Sequence, residues 1–121
     1  MAASETGSVT FDNLVLSDAA ALTDLRTLES GENVVRGQLL KLGTGTKLVA
    51  MDEYDSATDA YTIAATDADA TSADASINVF TFGQFSIAAI EAVSTGVTIS
   101  EAMRNQLWTR GLHVRDTIAL S

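Results

Sequence analysis

The chain has no cysteine and no proline, and a single histidine, His113. Without cysteine there is no disulfide, thiolate metal site or cysteine nucleophile. One histidine leaves a histidine-based catalytic triad or a multi-histidine metal centre without its partners. Without proline, turns must be made by Gly, Asn, Asp and Ser. Basic residues are scarce: Lys and Arg number 7 against 16 Asp and Glu, a net charge of −9. That balance argues against nucleic acid and against an anionic membrane surface, both of which need a basic face. No run of about 18 apolar residues occurs, so no transmembrane helix is expected. The first residues lack the basic and apolar regions of a signal peptide, so synthesis in a cytoplasm is expected.

What is present is enough apolar material for one domain, 46% of 121 residues. Its organising stretch is 32–52. Two apolar runs, 34–42 and 48–51, flank Gly43-Thr44-Gly45-Thr46-Lys47, a hairpin signal. Gly37 marks a bulge or a close backbone approach inside the first run. Residues 22–28 read as extended, because Thr23 and Thr27 are poor helix formers and a glycine turn at 29–33 follows. Alternatively, Ser17 caps a short helix running through Ala19, Leu22, Leu25 and Leu28. Residues 53–60 read as a polar loop, 61–65 as a short strand and 66–74 as an acidic loop.

Residues 76–85 alternate, placing Ile77, Val79 and Phe85 on one face and Phe80 and Phe82 on the other. Gly83 reads as a bulge. Apolar residues on both faces predict burial on both sides. A helical turn is expected at 87–93, closed by Gly96. Thr98-Ile99-Ser100-Glu101 is read as a capping box opening a helix of about three turns. That helix buries Ile99, Ala102, Met103 and Leu107 and ends at Gly111. Leu112, Val114, Ile118 and Leu120 predict a final strand. The fold class expected is mainly β with one or two short helices, a small barrel-like β domain (17–121) with an extended N-terminal arm (1–16).

The arm is poor in apolar side chains, yet Val9, Thr10, Phe11, Asp12, Asn13, Leu14, Val15 and Leu16 have β character. This reads as a strand-forming arm that pairs with a partner. Elsewhere chemistry is thin. Asp67-Ala68-Asp69-Ala70-Thr71 begins like a calcium loop, but Ser72 replaces the turn glycine and Asn78 the bidentate glutamate. His113 reads as a surface or interface histidine, and Trp108 as a packing or interface aromatic. Neither Ser4 nor Ser8 sits in a nucleophile elbow. Gly43-x-Gly45 precedes a strand, which excludes a helix-based phosphate loop. No catalytic, cofactor-binding or metal residue is assigned. The hairpin also looks like the start of a biotinyl or lipoyl carrier domain. There Asp52 stands where the modified lysine belongs, with Lys47 and Lys41 the remaining candidates.

Six motifs in order give a more specific likeness. They are Ser30-Gly31-Glu32-Asn33-Val34-x-Arg36-Gly37-x-Leu39-Leu40, Lys47-Leu48-Val49-Ala50-Met51-Asp52, Tyr61-Thr62-Ile63-Ala64, Asp67-Ala68-Asp69-Ala70-Thr71, the V-x-x-x-G-x-F of 79–85, and the stretch 101–114. Over about 22–120 the chain resembles the head decoration proteins of tailed phages, the group that includes the capsid-stabilising protein of phage lambda. It departs in lacking a proline near the N-terminal segment and in carrying Met51 where a relative has tryptophan. The resemblance implies a non-enzymatic structural protein without cofactors. It implies a homotrimer at the three-fold positions of the expanded capsid, on the outer surface of the virion, after synthesis in the host cytoplasm. The implied partner is the major capsid protein, met by the N-terminal arm. Nucleic acid, membrane and small-molecule substrates have no place in that role.

Overall fold

The computed structural model describes residues 14–15, 21–43, 45–52, 59–94 and 96–115. Eight strands and two short helices follow one another in the described residues. They are β1 (Leu22–Leu28), β2 (Asn33–Val34), β3 (Leu39–Leu42), β4 (Leu48–Ala50), β5 (Thr62–Ile63), β6 (Ala68–Asp69), β7 (Ala75–Ser86), α1 (Ile87–Val93), α2 (Glu101–Trp108) and β8 (Leu112–Arg115). The main sheet runs β5-β3-β4-β1-β7-β8. The predicted hairpin is β3–β4, antiparallel with Leu40 opposite Ala50 and Leu42 opposite Leu48. Gly37, at φ 94°, lies in the turn that separates β2 from β3. A Cβ there would sit 3.3 Å from Val93 Cγ2, so the expected close approach is real.

The sheet curls into a nearly closed barrel. Ala64, just after β5, bridges Val79 of β7. The Ala65 N–H donates to Asn78 O at 2.8 Å, and the Thr62 hydroxyl donates to Phe80 O at 2.7 Å. Each of the five wall strands or its end sends a side chain inward: Leu28, Leu40, Leu48, Ala64, and Ile77 with Val79. Val34 and Ala70, from the β2–β6 ribbon and its edge, join that cluster. A narrow barrel has room for side chains only, so this interior is a packed core.

A second, larger core lies outside the wall. Leu39, Ile63, Phe80 and Phe85 meet Ile87 and Ile90 of α1, Met103 and Leu107 of α2, and Leu112 and Val114 of β8. Leu39 and Leu40 are both 0% exposed because successive strand residues point to opposite faces and both faces are covered. The Leu39 N–H donates to the Oγ of the fully buried Ser94 at 2.9 Å, tying the barrel wall to the end of α1.

Three expectations change. First, the regular alternation along β7 breaks at Thr81. Leu22 pairs with Phe82 but Thr23 with Phe80, so Thr81 has no residue opposite it. One extra residue inverts the facing of everything beyond it. Phe85 therefore shares a face with Phe80, ring centroids 4.6 Å apart, and not with Ile77 and Val79. Phe82 is left 46% exposed. Gly83, at φ 148°, follows the bulge; a Cβ there would lie 2.7 Å from Phe85 Cζ.

Second, the cap of α2 is Ser100, whose Oγ accepts from Met103 N at 3.2 Å. The Ile99 N–H donates to the Glu91 carboxylate of α1 at 2.7 Å, and the chain turns helical after Ser100. Glu101 is then a first-turn acid facing the positive helix end, not the far member of a capping box. The helix has 8 residues, Ala102 is exposed, and Thr109 caps its end with Gly111 two residues on. Third, the acidic loop at 66–74 contains β6, which pairs antiparallel with β2.

Candidate functional site

The arm was the segment assigned to partner binding. Of its residues, Leu14 and Val15 are described; Val9, Thr10, Phe11, Asp12, Asn13 and Leu16 lie outside the described residues, as do Ser4, Ser8, Ser17, Ile118 and Leu120. Leu14 is 2% exposed and belongs to the outer core. Its carbonyl accepts from Ser86 N at 2.8 Å, and Val15 bridges Phe85. Leu14 and Val15, near the end of the expected arm, are thus rooted on the last residues of β7.

The calcium-like loop does not gather its carboxylates. Asp67 accepts from the Arg36 N–H at 2.8 Å. Asp69 accepts from the Thr71 hydroxyl and N–H, which lower its pKa. Asp74 accepts from the Ser30 N–H at 2.8 Å and pairs with Lys47 Nζ at 2.7 Å. Each carboxylate holds a different piece of the ribbon and hairpin. No group of three His, Asp or Glu converges to hold a metal among the described residues.

Lys47, one of the two remaining candidates for a carrier lysine, is therefore engaged with Asp74 at the start of β4. The hydrogen bond that Lys47 donates to Asp74 raises the Lys47 pKa and, together with the one from the Ser30 N–H, lowers the Asp74 pKa. A depressed carboxylate stabilises the fold above its unfolded pKa and loses that contribution as pH falls through the folded value. A raised ammonium does the reverse, losing its contribution as pH rises through the folded value. The pair's contribution should be level between the ordinary values of the free groups, 3.8 and 10.5, and decline below and above that window. Thermal melts of wild type and Asp74→Asn across pH check this: the difference between them should vanish on the acid side. A difference unchanged below pH ~3 would contradict it.

Two surface features remain. One is an aromatic ladder. The His113 ring makes edge contacts with Trp108 (centroids 4.4 Å) and Phe82 (6.1 Å), while Leu112 and Val114 on either side are buried. Trp108 is 65% exposed, and Leu22, paired with Phe82, is 54% exposed. Helix periodicity places Trp108 one position off the buried Leu107, which is the signal that marks it as outward-facing.

The other is a cleft of about 330 Å³ framed by Arg26 of β1, Tyr61 before β5 and Arg110 after α2. The Arg26 and Arg110 guanidinium groups lie 5.5 and 4.6 Å from the Tyr61 ring centroid. A smaller cleft, about 250 Å³, shares Tyr61 and Arg110 and adds Lys41 and Asp59. No local spacing announces this arrangement, since its three framing residues come from three distant segments.

No protein-family model matches the chain, and no curated protein matches it.

Proposed function

We propose that this chain is a non-enzymatic decoration protein that binds as a trimer to the expanded head of a tailed phage and cements it. The observation that carries the reading is the run of six motifs in order. They fall on one continuous body: the first spans the turn before β2 and the start of β3, the second is β4, the fifth is in β7, and the last spans α2 and β8. The rooting of Leu14 on β7 supports it further, because an arm attached firmly at its base can transmit its binding energy to the body. The aromatic ladder offers exposed apolar surface of the kind a neighbouring subunit covers.

The mechanism is mass action. A trimer that binds only the expanded shell stabilises that shell by its binding free energy, about 2.7 kcal/mol at a hundredfold excess over Kd. Three arms per trimer add avidity, because each later arm binds at high effective concentration. The capsid-contacting strand is assigned to residues 9–13, preceding the root. The protein then resides on the outer face of the virion and its partner is the major capsid protein.

The test mixes purified protein with expanded, undecorated heads and with unexpanded ones, followed by sedimentation. Selective co-sedimentation with expanded heads is expected. A variant lacking residues 2–13 should lose most of that binding; the deletion stops before Leu14 so that the core stays closed. Binding to neither form, or equally to both, would overturn the proposal.

A further inference from the structure

We infer that the cleft between Arg26 and Arg110 is a carboxylate-binding site. This inference rests on the cleft alone and stands or falls apart from the capsid reading.

In a chain of 16 acids and 7 bases, an arginine on the surface has many carboxylates to choose from. Lys47 takes one at 2.7 Å. Arg26 and Arg110 take none among the described residues. Arg26 donates to the Tyr61 hydroxyl at 3.3 Å and to Thr46 O at 3.4 Å. Arg110 donates through Nε to Ala60 O at 3.4 Å, and its two terminal nitrogens meet no acceptor among the described residues. These contacts lie beyond the usual N–H···O range, so most of the donor capacity of both forks is unspent.

The two guanidinium groups are nevertheless held in place. Both lie over the Tyr61 ring, a cation–π arrangement that restrains long side chains without consuming their N–H donors. Buried Thr62 and Leu112 and the exposed Thr81 and Thr109 complete the cleft wall. Two cations, Arg26 and Arg110, line the cleft, and its described lining residues include no carboxylate. In a protein of net charge −9 this is a local reversal of sign.

A planar fork with parallel N–H donors matches the two oxygens of a carboxylate. A cleft of about 330 Å³ is at the small end of ligand sites, suited to a small carboxylic acid or an Asp or Glu side chain. The carboxylate is either that of a free acid or that of an acidic residue on a second copy of this chain.

The experiment has two arms, run at constant ionic strength with chloride as control. In the first, citrate is titrated calorimetrically into wild type, Arg110→Gln, Arg110→Lys and the double variant Arg26→Gln/Arg110→Gln. In the second, sedimentation equilibrium follows mass against protein concentration for the same proteins. Both side chains lie at the surface, and circular dichroism melts show whether the variants keep the fold.

Saturable citrate binding, about tenfold weaker in Arg110→Gln and lost in the double variant, supports a site for free carboxylates. Self-association that weakens by a similar factor in the same variants, and that citrate competes away, supports a second copy's acid as the occupant. Arg110→Lys keeps the charge without the fork and should fall between wild type and Arg110→Gln. Folded variants that match wild type in both arms, or a wild type that neither binds citrate nor associates, would overturn the inference.

Discussion

Phe85→Ala should cost about 3–5 kcal/mol of folding stability, the range for deleting a large buried aromatic. Phe85 is fully buried, stacks at a tilt of 50° on Phe80, and covers Gly83. It stands where the barrel wall meets α1, α2, β8 and the root of the arm. Phe82→Ala, three residues away on the same strand, should cost less than about 1 kcal/mol, because nearly half of that side chain already faces solvent. Urea denaturation of the two variants measures the contrast. Adding Phe80→Ala gives a double-mutant cycle. Rings in contact should couple by about 0.5–1.5 kcal/mol. Strict alternation along β7 would instead put Phe80 and Phe85 on opposite faces with no coupling. The cycle therefore tests the bulge at Thr81 itself.

The second large effect concerns the root of the arm. Leu14→Ala should destabilise the domain by about 2–5 kcal/mol. Leu14 packs in the outer core with both Cδ atoms 3.7 Å from where a Gly37 Cβ would be. An alanine there would leave a gap beside Gly37, which has no side chain to fill it. Val15→Ala should cost less, since Val15 is only partly buried and its backbone bridge to Phe85 survives the substitution. Equilibrium unfolding reads both. A Leu14→Ala cost below about 1 kcal/mol would mean that Leu14 belongs to the arm and not to the body. Combined with capsid binding, the variant also separates two roles: it should weaken the fold without removing residues 9–13, the segment assigned to the partner.

Much of the fold was legible in the sequence because its signals are local. Glycine pairs and β-prone runs fixed the β3–β4 hairpin. Poor helix formers followed by a glycine turn marked β1. A spacing of four gave the buried Ile99, Met103 and Leu107, and the 87–93 turn became α1. Errors arose where a distant group intervened. The cap of α2 is Ser100, and Ile99, read as part of that helix, donates its amide to Glu91 of another helix. The facing of Phe85 inverted because β1 pairs across a bulge, and pairing register belongs to two strands at once.

Surface features divide in the same way. Trp108, read as a packing or interface aromatic, lies one position off the buried Leu107 and is exposed. Composition showed that cations are scarce, which makes each one informative. It could not show that Arg26 and Arg110 flank Tyr61, since the three meet only when β1, the start of β5 and the end of α2 are brought side by side. The sequence by itself determined a small β domain with short helices, because hydrophobic period and turn chemistry act over a few residues. The tertiary structure alone decided the closure of the barrel at Ala64 and Val79, the rooting of Leu14 and the sign reversal in the cleft. Each of these requires side chains or backbone groups far apart in the chain to share one place, and no local pattern encodes that.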